Sequence, residues 1–166
     1  MKVYLVIMLL ALSFTSCAQK KAEDTIRLIP EGYIGPVLVI FNQKNGEPKE
    51  YEGDKRVYRI PKNGVLRTQF EPNYGVQHHQ YFYIDRNGSR SEIRFVAVQD
   101  KDSLANIVDK SKIYAYREQA IGEGLQVISE EDKQVLPPAR SFYIGHLTNT
   151  ENTAREQMNF TLKYHN

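Results

Sequence analysis

From Thr25 onward, apolar and polar residues alternate with a period close to two, the pattern of strands rather than helices. Residues 37–41 form an almost unbroken apolar run, which predicts a strand buried on both faces. Further apolar segments follow at 57–60, 65–70, 81–84 and 93–98. Asn45-Gly46, Asn63-Gly64 and Asn87-Gly88 separate them, each offering a residue pair tolerant of positive φ and suited to a tight hairpin turn. No crossover helix fits between Thr25 and Gln99, so the strands are expected to pair antiparallel.

Beyond Gln99 the pattern is more mixed. Asp102 or Ser103 is placed to cap one or two helical turns within residues 100–110, with Leu104, Ile107 and Val108 on one side. Strands return at 113–116, 125–128 and 142–147, while Pro137-Pro138 interrupts regular structure. At the carboxyl end Ala154, Met158 and Leu162 fit a helical stripe, whereas Met158, Phe160, Leu162 and Tyr164 alternate strictly with polar neighbours. The alternation accounts for more apolar residues, so a final strand is expected after a helical turn over residues 150–156. The expected fold is mainly β: an antiparallel β-sandwich in the prealbumin or immunoglobulin style, with one or two short helical segments. Residues 25–166 then form one β-rich domain, with a hairpin-rich core over 25–99 and appended strands and a short helix over 100–166.

The first sixteen residues follow another rule. Lys2 precedes a 12-residue apolar stretch, Val3 to Phe14, closed by Thr15-Ser16-Cys17. That length suits a signal peptide over residues 1–16 and is too short to span a bilayer. A cysteine just after a small pair resembles the lipobox of bacterial lipoproteins, with Phe14 where leucine is usual. Cys17 is therefore the expected lipidation site, and residues 17–24 read as a polar tether. Cleavage after Ala18 is the alternative, giving a soluble secreted protein.

Composition narrows the picture. The 166 residues are 41% hydrophobic and 25% charged, with formal net charge +2. Removing the leader leaves a domain roughly 37% apolar, lean but above the disordered range. The near-neutral charge argues against nucleic-acid binding. A single cysteine excludes a disulfide framework.

Candidate chemistry is sparse. Adjacent histidines on a strand face opposite ways, so His78 and His79 cannot chelate one ion together; they remain the metal or hydrolase candidates. His79 should share a face with Tyr81, Tyr83 and Asp85, and His78 with Gln80, Phe82 and Ile84. Asp100-Lys101-Asp102 opens like a calcium loop, but Leu104, Ala105 and Ser111 occupy the wrong positions. No serine lies in a nucleophile elbow, and neither a cofactor motif nor a catalytic residue is expected. Tyr74, Tyr81, Tyr83, Tyr114, Tyr116 and Tyr143 offer a candidate ligand surface, since tyrosine presents an apolar face and a polar tip.

One resemblance rests on three segments: Ile29-Pro30-Glu31-Gly32-Tyr33-Ile34-Gly35-Pro36-Val37, Ile60-Pro61-Lys62-Asn63-Gly64-Val65, and Tyr81-Phe82-Tyr83-Ile84-Asp85-Arg86-Asn87-Gly88. Together they resemble an uncharacterised family of bacterial exported domains, with a Pro-x-Gly-x-x-Gly opening, an Ile-Pro-x-x-Gly-Val hairpin and, often, lipoprotein signals. The resemblance implies location and fold style and carries over no catalytic residue. The expectation is a lipid-anchored protein of the bacterial cell membrane or outer membrane, held to the membrane through its acyl chains. It would be a binding or structural module whose partner is an envelope protein or glycan. The alternative is a small periplasmic hydrolase or metal-binding protein using His78 or His79.

Overall fold

The computed structural model describes residues 22–97, 109–122, 124–127, 133–147 and 150–165. Its strands are β1 (Thr25–Pro30), β2 (Gly35–Ile40), β3 (Glu50–Glu52), β4 (Lys55–Arg59), β5 (Val65–Arg67), β6 (His79–Ile84), β7 (Arg90–Glu92), β8 (Phe95–Val96), β9 (Tyr114–Ile121), β10 (Gly124–Val127), β11 (Lys133–Leu136) and β12 (Ala139–Gly145), followed by helix α1 (Thr150–Tyr164). One five-stranded sheet has the order β3-β4-β1-β6-β7 and the other β5-β2-β12-β9-β8, while β10 and β11 form a separate hairpin. The protein is mainly β.

Pairing departs from the antiparallel expectation. β1 is parallel to both β4 and β6, β2 is parallel to β5, and β8 is parallel to β9. The reason lies in the path of the chain, which steps from the first sheet (β1) to the second (β2), back (β3, β4), across again (β5) and back once more (β6). β5 and β6 enter parallel to β2 and β1, and β4 does so after the antiparallel β3–β4 hairpin, so strands of the facing sheet do the work of a crossover helix. The first such step is the Pro30-Glu31-Gly32 corner, where Gly32 takes a φ of 77°. Tyr33, just after this corner, turns in against the core and donates to the Pro36 carbonyl.

The sheets face each other across one apolar cluster that includes Ile29, Val37, Val39, Phe41, Tyr58 and Phe142. Both faces of β2 are buried: Leu38 and Ile40 point away from that cluster and are covered by Phe160 and Tyr164 of α1. α1 corrects the expected carboxyl-terminal strand. Its residues are mostly strong helix formers, and Gln157, Phe160 and Tyr164 lie at helical spacing on the sheet-facing side. Glu151 in the first turn and Lys163 in the last suit the helix dipole.

The end of the expected tether belongs to the domain: Ala22 is buried and donates to the Val76 carbonyl, and Asn73 bonds the Glu23 backbone. The signal peptide, Cys17 and the helical turns expected within residues 100–108 lie outside the described residues.

Candidate functional site

The most concentrated chemistry lies between the sheets at the start of β1. Alternation puts Thr25, Arg27 and Ile29 on the inner face, and the parallel register sets them beside His79, Tyr81 and Tyr83 of β6. From the second sheet, Arg140 of β12 points to the same place. Glu118 arrives by a local irregularity. Between the pairs Tyr116↔Tyr143 and Gln119↔Ser141, β9 has two residues where β12 has one. Arg117 absorbs the extra residue with a φ of 57°. This bulge leaves Arg117 outside, against Gln157 of α1, and turns Glu118 inward.

Arg27 is fully buried. Its guanidinium lies over the rings of both Tyr81, 5.0 Å away, and Phe142, 4.6 Å away. Its two terminal nitrogens donate to the two Glu118 oxygens, Nη2 to Oε1 at 2.7 Å. Nη1 also donates to the Tyr81 hydroxyl at 3.0 Å, which itself donates to Glu118 Oε2 at 2.9 Å. Arg140 Nη1 donates to Glu118 Oε1 at 3.3 Å. His79 completes the group, with Nδ1 2.7 Å from Thr25 Oγ1 and 3.3 Å from Arg27 Nη2. Guanidiniums approach both ring nitrogens, Arg27 Nη2 at Nδ1 and Arg140 Nη1 at Nε2, each 3.3 Å away, and Glu118 Oε1 lies 3.8 Å from Nε2.

Electrostatics fixes the protonation states. Burial would favour neutral Glu118, but Arg27 outweighs it, with help from Arg140, and holds the carboxyl below its usual range. Burial would likewise discharge Arg27, yet the Glu118 carboxylate keeps its pKa above the ordinary value. Burial pushes the Tyr81 hydroxyl up, keeping it protonated. Desolvation and the neighbouring Arg27 depress His79 to a pKa of about 3, with Arg140 adding to the effect. Near neutrality His79 is therefore uncharged and a very weak base, far from the poise of a general base. Both Glu118 oxygens are engaged, and two guanidiniums beside His79 repel any cation. Among the described residues no group of three or more histidine, cysteine or carboxylate side chains could hold a metal ion.

Sequence comparison places these residues in a family. A family model, "Family of unknown function (DUF6843)", matches residues 21–133. The chain belongs to DUF6843. The matched segment carries Arg27, His79, Tyr81 and Glu118, whereas Arg140 and α1 lie beyond it. Among solved structures, the DUF6843 chain is similar to the 2.75 Å crystal structure of a candidate lipoprotein from Bacillus anthracis, with 18% identity and a TM-score of 0.48. That similarity covers 87% of this chain and 98% of the other. No curated protein matches the sequence.

The sequence-derived candidates scatter over this DUF6843 domain. His79 sits in the buried cluster, whereas His78 is 81% exposed and lies 3.5 Å from the Asp24 carboxylate. The expected tyrosine surface does not form. Tyr81, Tyr114, Tyr116 and Tyr143 are buried and Tyr83 is half-buried; of the six, Tyr74 alone is exposed. Their rings fill the core while their hydroxyls find internal acceptors: the His146 carbonyl for Tyr116, Glu156 for Tyr143 and the Tyr33 carbonyl for Tyr83. The other two histidines are remote from His79: His146 is exposed, and His165 donates to the Pro137 carbonyl across the far face of the second sheet. Sequence reading missed Arg27, Glu118 and Arg140. Of these only Arg27 left a mark, as a lone charge in the apolar run Ile26 to Ile29.

Proposed function

We propose that the chain is a lipid-anchored protein of the bacterial cell envelope, and that its β domain binds or braces a partner without catalysing a reaction. The observation that carries the second half is the closed state of the inter-sheet cluster. The acid and the phenol that could do chemistry are bound to each other and to Arg27, and the imidazole is held by Thr25 beside the same guanidinium, an arrangement that matches structural pairing. This geometry supports a specificity element of the fold over the hydrolase or metal reading. The first half rests on Thr15-Ser16-Cys17 behind a 12-residue apolar stretch. No helix among the described residues is long and apolar enough to cross a membrane.

Mass spectrometry of the mature amino terminus, comparing wild type with Cys17→Ala, tests the anchor. The expected result is a diacylglyceryl mass on a terminal Cys17, lost in the variant. An unlipidated Gln19 terminus in the wild type would overturn the anchor and establish the secreted form cleaved after Ala18.

A further inference from the structure

Between α1 and the outer face of β9 runs a groove of about 670 Å³, within the range of small-molecule sites. Ala154, Met158 and Leu162, spaced four residues apart, line the helix side, and Ile121 and Leu136 line the other. Met158 and Leu162 are 55% and 59% exposed, although the opposite face of the same helix packs on the sheet. This is the stripe that the sequence suggested, yet it faces the groove instead of the core.

The groove is polarised along its length. Arg117 Nε donates to Gln157 Oε1 at 3.3 Å and Gln157 Nε2 donates to the Arg117 carbonyl at 3.1 Å, so Arg117 lies level with mid-helix. Gln157 Nε2 also donates to Ser141 Oγ while His165 Nε2 bonds the Pro137 carbonyl, so α1 runs against β12, which is itself antiparallel to β9. Strand and helix therefore run the same way. Arg155 and Arg117 stand beside the first half of the groove, with Glu151 one turn before Arg155, and Ile121 and Leu162 line the second half. The ionisable lining is two guanidiniums against one carboxylate, Glu151, together with His165, whose Nε2 is already bound to the Pro137 carbonyl. From Ala154 to Leu162 the apolar stripe extends ~12 Å at 1.5 Å per residue.

We propose that this groove binds a single-chain anionic amphiphile, a long-chain fatty carboxylate. Its carboxylate would lie in the Arg117–Arg155 half and its chain along Met158, Leu162 and Ile121. A half with two guanidiniums to one carboxylate, followed by an apolar half, complements one anionic head and one tail. An amphipathic partner helix would want repeated anchors along a groove of even character. The proposal deepens the binding reading above and rests on it. Its failure is distinguishable from failure of the anchor, which the amino-terminal mass reports separately.

The test uses the whole mature chain carrying Cys17→Ala, so that no acyl group of its own competes. Dodecanoate below its micellar concentration and dodecanol are titrated in parallel by calorimetry, with native mass spectrometry for stoichiometry. One dodecanoate per chain is expected. Leu162→Asp should weaken binding of both ligands at least tenfold; Arg155→Glu should weaken dodecanoate at least fivefold and leave dodecanol unchanged. Both positions are exposed, and unchanged circular dichroism confirms folding of each variant. The proposal is overturned by absence of saturable dodecanoate binding, by binding insensitive to Leu162→Asp, or by equal losses for the two ligands in Arg155→Glu. Binding of an amphipathic helical peptide or of phosphatidylglycerol vesicles with dodecanoate excluded would overturn it too.

Discussion

His79 should make the domain acid-sensitive, and the size of the effect follows from its surroundings. Its folded pKa is about 3 against 6.5 in the unfolded chain, because burial, Arg27 and Arg140 all oppose the imidazolium. Glu118 and Asp24 pull the other way without prevailing. The unfolded chain takes up a proton below pH 6.5 and the folded chain does not, so stability is full above that value and falls as pH drops toward 3. At pH 5.0 linkage gives a loss of about 2 kcal/mol relative to pH 7.5, and ~4–5 kcal/mol once both states are protonated. Glu118 acts in the same direction, since its depressed pKa makes the folded state lose stability as the carboxyl protonates. At pH 5.0 that adds only roughly 0.2 kcal/mol, because the unfolded carboxyl is still mostly ionised.

The assay is urea unfolding of wild type and His79→Gln at pH 7.5 and 5.0. For a domain of this size, ~2 kcal/mol moves the wild-type midpoint by about 1 M. The glutamine variant, which cannot titrate, should be less stable at pH 7.5 through loss of the Thr25 contact, yet nearly insensitive to the pH change. An equal acid-induced shift in both proteins would refute the reasoning. So would an imidazole resonance of His79 titrating near 6.5 in the folded wild type.

Four further substitutions can be checked by the same denaturation method. Glu118→Gln leaves the Arg27 and Arg140 guanidiniums without their carboxylate and should cost about 3–5 kcal/mol. Gly64→Ala drives a Cβ into the Tyr33 hydroxyl and to 2.8 Å from the Pro36 carbonyl at a φ of 77°, and should cost about 2–4 kcal/mol. Gly88→Ala, at a similar φ of 85° in open space, should cost only ~1–2 kcal/mol, which isolates the clash from the backbone strain. Gln157→Leu removes buried bonds to the Arg117 carbonyl and Ser141 Oγ and should cost ~2–3 kcal/mol. Faster amide exchange in α1 and in β9 beside it would locate that loss.

How far each element was legible depended on whether its environment left a period in the sequence. β2, β6 and β12 showed through as apolar or alternating runs because their side chains meet the core. β3 and β7 were silent: Glu50-Tyr51-Glu52 and Arg90-Ser91-Glu92 are three-residue edge strands, largely exposed, so nothing selects an apolar face. Turn chemistry was partly misdirected. Asn87-Gly88 does close the β6–β7 hairpin, but Asn63-Gly64 carries the chain from one sheet to the other, and Gly53-Asp54 closes the β3–β4 hairpin. An Asn-Gly pair specifies backbone dihedrals, while the pairing of the strands it joins is a tertiary matter. At the carboxyl end, Phe160 and Tyr164 satisfied both a period of two and the i, i+4 spacing of a helix. Contact with the outer face of β2 decided for the helix.

The charged cluster shows a harder limit. Ala115 points into the inter-sheet core and Tyr116 away from it. Strict alternation from that phase would put Arg117 inside and Glu118 on the outer face. The single extra residue at Arg117 reverses the phase, bringing Glu118 to Arg27 and leaving Arg117 at the groove beside α1. One backbone irregularity therefore assigns one charge to the core and another to the proposed ligand site. Its register mark lies in the pairing with β12, some twenty-five residues away in sequence, and no period within β9 itself records it.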